Sequence, residues 1–261
     1  MNVSGVPVSV VLPAYNEGLD LRPVLEELHG ALAALSPRYA VELVIVDDGS
    51  RDETGSVIAG FFAAHPGAAR LCTHAENLGL TEALKTGTRA ARHAITVWLD
   101  ADLSYAPTIV EPLARTLVET GAAAVLASPY MRGGRVANVP LDRLIASRGA
   151  NLLLAACVSF RIHTFTGMVR AYETRTLLQV MDRPQRGEFN AWIVAELLRD
   201  GRRVVEIPAA LVWPRTRTDA APRLTRAKLW ARTKLVVATI RVLLSARGAR
   251  DGHASSKAIG R

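Results

Sequence analysis

Short apolar runs recur through the first half of the chain, each followed by a stretch with helical periodicity. This alternation limits the fold more than any other feature. The run VSVVL at 8–12 precedes Leu21, Val24, Leu25, Leu28 and Leu32, which recur at helical spacing over 19–34. The run at 41–46 precedes a helix over 51–64, with Asp52 as its cap and Val57, Ile58, Phe61 and Phe62 as apolar positions. A short strand at 70–73, a helix at 80–91, a strand at 95–99, a helix at 107–119 and a strand at 122–127 follow. Strands separated by helices need crossover connections, which give a parallel sheet covered on both faces. The runs lack polar alternation, as expected of strands buried on both sides. Pro13 is expected to stop the first strand. The expected class is therefore α/β, with a mostly parallel central sheet and helices on both faces.

The second half is less regular. Residues 141–158 read as a helix, 164–172 as a loop or strand leading into 173–181, 188–199 as a helix, and 203–207 as a strand ended by Pro208. No internal repeat and no linker interrupt the chain before about residue 218. It divides into one catalytic domain over 1–218 and a basic amphipathic helical tail over 219–261.

Charge is unevenly spread. Residues 201–261 hold 14 Lys+Arg and 3 Asp+Glu, whereas the remainder holds 18 basic and 21 acidic residues, so the overall +8 belongs to the tail. A basic tail rich in Leu, Val, Ile and Trp over 223–245 suits an anionic membrane interface or a docked helix. No nucleic-acid-binding module accompanies the charge, which excludes nucleic acid as the expected partner. No apolar run approaches the ~20 residues that span a bilayer; the run at 235–240 is broken by Arg241. Residues 1–7 carry no basic segment of a secretory signal, and Cys72 and Cys157 have neither metal nor disulfide spacing. The expectation is a cytoplasmic protein, peripheral on the inner face of the membrane.

Carboxylates cluster just past the predicted strands, where open parallel sheets bind ligands. Asp47 and Asp48 end the second run, in VIVDDGS at 44–50, and Asp100-Ala101-Asp102 ends the run at 95–99. A carboxylate at Asp47 can accept from a nucleobase or ribose, or the DDGS segment can be only a turn. Two acids one residue apart repel unless a cation neutralises them. Asp100 and Asp102 therefore suggest a hard divalent cation shared with phosphate oxygens; the alternative is a helix start with Ser104 capping before Pro107. The segment PAYNE at 13–17 puts Asn16 and Glu17 at the end of the first strand, where Asn16 either contacts a ligand or organises the turn. NLGLT at 77–81, ahead of a helix, could lend backbone amides to a phosphate.

Taken together, these segments resemble the family 2 glycosyltransferases of A-type fold. SPYMRGG at 128–134, SRGANLL at 147–153 and TGMVRAY at 166–172 are similar to the polyprenyl-phosphate (dolichol-phosphate) hexosyl synthase branch. The resemblance covers residues 7 to about 235. It implies a nucleotide-diphospho-sugar transferase fold and inverting transfer from a donor of the GDP-mannose or UDP-glucose type to polyprenyl phosphate. By match, Pro13, Tyr15, Glu17, Asp47 and Asp100 would line the nucleotide site, and Asp100 and Asp102 would hold Mg2+ or Mn2+. Asp102, Arg148, Arg170 and Glu188 are the candidate catalytic residues. Arg132, Arg148, Arg215 and Arg217 are candidates for the acceptor phosphate, since guanidinium forks match phosphate geometry.

Two departures fall on the acceptor side. The branch reads Gly-Ser-Arg-Tyr where this chain has Ala127-Ser128-Pro129-Tyr130, so the arginine expected on the acceptor phosphate is absent and Arg132 is its candidate replacement. The Asp-Pro-Thr-Ser-Gly-Phe-Arg pattern is replaced by residues 163–170, in which His163 is a lone histidine with no partner in sequence. Two other readings stand beside the first. A hydroxyl acceptor would need a carboxylate base, for which Glu188 is the candidate; a non-catalytic nucleotide-sugar binder at the membrane would need none. The sugar, the base and the oligomeric state are left open.

Overall fold

A computed structural model describes residues 6–35, 39–185 and 187–213. The tail over 219–261, with Trp230, and Arg215 and Arg217 lie outside the described residues.

The chain begins with β1 (Val6–Ala14) and, after a short 3-10 turn, α1 (Leu21–Leu35). Next come β2 (Tyr39–Asp47), α2 (Thr54–Ala64), β3 (Ala69–Thr73), α3 (Leu80–Ala90) and β4 (Ile95–Trp98). They continue with α4 (Val110–Thr120), β5 (Ala124–Ser128), β6 (Arg135–Ala137) and α5 (Leu141–Cys157). The described part closes with β7 (Arg170–Glu173), α6 (Thr174–Met181), α7 (Phe189–Arg199), β8 (Val204–Pro208) and β9 (Ala210–Val212).

Seven strands form the main sheet in the order β3-β2-β1-β4-β7-β5-β8. All pairings are parallel except those of β7, which runs antiparallel between β4 and β5. The period-two geometry of β1 divides the core. Val10 and Leu12 join α1, α2 and α4 on one face, and Val11 joins α3, α6 and α7 on the other. Helix α3 lies so close to the sheet that a Cβ on Gly87 would come within 2.3 Å of Val11.

Three expectations need correction. Strand β1 does not stop at Pro13 but runs through it, pairing Pro13 with Val46. The Val11 carbonyl accepts from Leu99 on the β4 side, so Pro13, two residues on, turns its missing N–H to the same side, where β4 has already ended at Trp98. Helix α2 begins at Thr54 rather than 51, because residues 48–53 form the turn; Asp52 Oδ1 does accept the Thr54 N–H at 3.0 Å. The small parallel pair of β6 and β9 was not anticipated. It ties the end of the described chain to the site, since the Val212 N–H donates to the Ser104 carbonyl at 2.8 Å.

Candidate active site

Strands β2, β1 and β4 are neighbours and parallel, so their carboxyl ends form one rim. That rim gathers Pro13, Tyr15 and Glu17 from β1, Asp47 from β2, and Asp100 and Asp102 from just past β4. Tyr15 is exposed at the mouth, at 42%. Asn16 adopts a left-handed backbone (φ 51°), and its side-chain oxygen accepts the Arg51 N–H at 2.9 Å, so it organises the turn. The buried Thr54 hydroxyl accepts the N–H groups of Glu17 and Gly18, each at 2.9 Å. Asp47 is nearly buried; its Oδ1 accepts the Ser50 N–H at 3.0 Å and its carbonyl the His74 N–H at 2.9 Å.

The Asp100–Asp102 turn is built on Leu103, a buried residue in the left-handed region (φ 46°) whose N–H bonds the Asp100 carbonyl at 3.2 Å. Ser104 does not cap the helix ahead of it. Its N–H and hydroxyl both donate to Asp102 Oδ1, at 2.9 and 2.6 Å, and the 3-10 start at Pro107 has Ala106 at its cap position. Burial, and then the negative charges of Asp102 and Glu17, push the Asp100 carboxyl up to about 7. Burial, and next Asp100 itself, raise Tyr105 well above the phenol range, so it stays protonated. Asp100 thus carries a buried carboxyl with the charges of Asp102 and Glu17 acting on it, a burden that a cation relieves. The donors are hard carboxylate oxygens, which suit Mg2+ or Mn2+. Among the described residues no group of three or more His, Cys, Asp or Glu is already arranged to hold a metal ion. A cation at Asp100 and Asp102 would therefore complete its shell with phosphate and water.

The loop at 77–81 has a different duty from the phosphate cradle expected of it. The Leu78 and Gly79 amides donate to Asp48, at 3.0 and 2.8 Å, and the Asn77 side chain joins them at 2.9 Å. Asp48, adjacent in sequence to Asp47, turns inward and anchors this loop.

Beyond this rim, the candidates Arg170, Glu188 and Arg148 differ in exposure and in partners. Arg170 is fully buried on β7, its guanidinium donating to the carbonyls of Asn190 (2.9 Å) and Phe165 and to the Tyr172 hydroxyl (3.3 Å). Its Nε has no hydrogen-bond partner among the described residues. Arg170 therefore braces the 163–168 segment and the start of α7 instead of presenting its fork at the surface. Glu188 sits at the cap of α7 and accepts the Ala191 N–H at 2.7 Å; burial raises its carboxyl above the usual range, against those hydrogen bonds and the Arg170 charge. Arg148 is exposed on α5, 5.5 Å above the Tyr130 ring, whose hydroxyl donates to Ser147 at 2.8 Å. Arg132 is exposed in the loop after β5.

Sequence reasoning missed two staples. Asn151, buried on α5, accepts the N–H groups of Phe165 (2.6 Å) and Thr166 (3.2 Å) and donates to the Ser147 carbonyl at 2.8 Å. A polar residue among Leu152, Leu153 and Leu154 was the available signal. His163 has a partner after all, Glu206, at 2.7 Å. Trp98 and Trp192 are core residues, and Trp213 lies under the Arg143 guanidinium at 4.7 Å.

The family model for glycosyl transferase family 2 matches residues 9–178. Polyprenol monophosphomannose synthase of Mycolicibacterium smegmatis is 31% identical over 209 residues, covering 76% of this chain and 75% of that protein. Dolichol-phosphate mannosyltransferase of Pyrococcus furiosus is 31% identical over 143 residues, 55% of this chain and 39% of that longer protein. Glucosyl-3-phosphoglycerate synthase from Mycobacterium tuberculosis, in complex with Mn2+, UDP and glucosyl-3-phosphoglycerate, shares the fold, with a TM-score of 0.62 at 21% identity over 92% of this chain and 80% of that one.

Proposed function

Because the chain belongs to glycosyl transferase family 2, we propose that it moves a hexosyl unit, mannose or glucose, from a nucleotide diphospho-sugar to a polyprenyl phosphate, with inversion at the anomeric carbon. The observation that carries this reading is the placement of Asp100 and Asp102 just past β4, beside the parallel strand β1, with Asp102 held by the N–H and hydroxyl of Ser104. Mg2+ or Mn2+ held by Asp100 and Asp102 would act as a Lewis acid on the leaving diphosphate. Pro13 and Tyr15 line the nucleotide, and Asp47 accepts from its base or ribose. The left-handed turn at Leu103 and the Ser104 bonds hold Asp102 in one orientation without help from the ligand, which is the preorganisation such a site needs.

A phosphate acceptor needs no base, because its second pKa is near ~6 and it is already an oxyanion at neutral pH. It needs cations beside the sugar. Arg148 and Arg132 are exposed and able to meet it, and Arg215 and Arg217 are further candidates. The α5 flank supports a lipid-borne acceptor. Leu141, Ile145, Leu152, Leu153 and Phe160 are each more than half exposed there, beside the exposed Arg148 and Arg161. Such a surface lets the phosphate reach the rim while the chain of the lipid stays in a bilayer. Among the described residues no helix is long and apolar enough to cross a membrane; the contact proposed is a peripheral one, on the cytoplasmic face.

A second reading, transfer to a hydroxyl with Glu188 as base, draws on the raised Glu188 carboxyl. The bond from Ala191 to that carboxylate opposes it. One assay separates the two: labelled sugar nucleotides are supplied with Mg2+ or Mn2+ and polyprenyl phosphate, and the label is followed into the lipid phase. Entry that survives Glu188→Gln and is lost in Asp102→Asn supports the first reading. Label that reaches a supplied glycolipid hydroxyl instead, and is lost in Glu188→Gln, supports the second, and no entry into polyprenyl phosphate with the unaltered protein rejects the first.

A further inference from the structure

The acid pair at the end of β2 is gripped from one side by a single residue. His74 donates its backbone N–H to the Asp47 carbonyl at 2.9 Å, and its ring Nδ1 lies 2.6 Å from Asp48 Oδ1. A carboxylate only accepts, so Nδ1 carries the proton. The other ring nitrogen, Nε2, lies 2.9 Å from the Thr86 hydroxyl on α3. The imidazole thus bridges a strand end to a helix, with nine-tenths of its side chain out of solvent. Asp48, so oriented, collects Asn77, Leu78 and Gly79. The loop it holds lies directly on the turn: a Cβ on Gly49 (φ 71°) would come within 2.3 Å of the Glu76 backbone. Asp47, Asp48, Gly49 and the 74–79 loop are therefore packed together, and the ring of His74 adds a side-chain link to α3 beside the sheet pairing of Asp47 and the Asp48 N–H bond to the Ala14 carbonyl.

We propose that His74 is a positioning residue for the donor site, acting through Asp48 and Thr86 to fix the carboxylate of Asp47 and the adjoining rim. The assignment rests on the donor reading above. It gives His74 a role in nucleotide binding and none in acceptor binding, because every group that it holds belongs to the β2–α3 side of the cleft. Asparagine at this position reaches Asp48 with an amide N–H in place of Nδ1 but cannot reach Thr86. His74→Asn therefore retains the nearer half of the bridge and Thr86→Val removes only the farther half.

Titration calorimetry with GDP and with UDP, each in the presence of Mn2+, tests this. For whichever nucleotide the unaltered chain binds, His74→Ala is expected to weaken binding about tenfold. His74→Asn and Thr86→Val should weaken it only about two- to threefold. In the transfer assay His74→Ala should raise KM for the sugar nucleotide, leaving KM for polyprenyl phosphate and kcat within about twofold of the unaltered values. Unchanged nucleotide affinity in His74→Ala overturns the assignment alone. So does an equal rise in both KM values, or an Asn variant as impaired as the Ala variant. An unaltered chain that binds neither nucleotide overturns the donor reading and this assignment with it.

Discussion

The two sides of the cleft are built differently. On the β2–β1–β4 side, acidic groups are held by backbone and hydroxyl donors: Asp47 by Ser50 and Asp102 by Ser104 within their own turns, Asp48 by Leu78 and Gly79 of a neighbouring loop. Their positions are set by the sheet before any ligand arrives. On the α5 side, the outward cations rest on little. Arg148 leans on Tyr130, and Arg132 makes no hydrogen bond or ion pair among the described residues. Helix α5 itself buries only Asn151, Leu154 and Ala155 of its 17 residues. A preformed acidic rim suits one invariant ligand group, a metal-bound diphosphate. Exposed arginines on and beside a partly apolar helix suit an acceptor that arrives from a surface.

The largest expected effect breaks the acidic side. Asp102→Asn should lower transfer about a thousandfold, since a metal's Lewis-acid contribution is several kcal/mol. Its fold should survive, because the amide oxygen still accepts from Ser104; circular dichroism and the rate of label transfer measure the two. Next comes the arginine that stands apart from the other candidates. Arg170→Met leaves the Phe165 and Asn190 carbonyls without their donor, at a cost of about 3 kcal/mol of stability in chemical denaturation. Turnover per folded molecule should fall far less than in Asp102→Asn. If it falls as far with stability unchanged, Arg170 works on the ligand and the assignment of a brace is wrong.

Asp100 provides a pH test of the same rim in metal-free protein. Its folded value, about 7, stands above the ordinary 3.8. The folded state therefore binds the proton more tightly than the unfolded state, and the stability that this contributes is lost as pH rises from about 4 to 7. Asp100→Asn cannot ionise. It should melt about 5 °C above the unaltered protein at pH 8, with the gap closing near pH 4. Mn2+ should raise the melting point of the unaltered protein at pH 8 and that of the variant much less. A constant gap across this range would show that the charge at Asp100 is not what strains the rim.

Much of the acidic side was legible in the sequence, and little of the other was. The strands β1, β2 and β4 announce themselves as apolar runs buried on both faces, and the acids follow at their ends. The resemblance singled out Asp47, but the role of Asp48 as the anchor of the 77–79 loop was not legible. Asp47 and Asp48 differ only in which way an extended chain turns them, and the inward turn of Asp48 depends on a loop some 30 residues away. Strands β6 and β9 have three residues each and exist only through their pairing with one another. The burial of Arg170 was not legible either. Only the convergence of two distant carbonyls makes its burial tolerable, and nothing local encodes that.

The smallest effect asked for is on the loosely held side, and it separates the two sides most cleanly. Arg148→Ala removes an exposed guanidinium whose recorded contact is the face of Tyr130. An exposed cation–π pair is worth under about 1 kcal/mol, so stability should hardly change. If the fork meets the acceptor's phosphate, KM for polyprenyl phosphate should rise about tenfold, with KM for the sugar nucleotide unmoved. Arg148→Lys should recover only part, because an ammonium cannot make the paired bonds of a guanidinium. Arg132→Ala run in parallel decides which arginine stands in for the one that Pro129 displaces. An acceptor KM that responds to neither would move the phosphate contact to Arg215 or Arg217. A donor KM that responds to either would erase the division of labour between the two walls of the cleft.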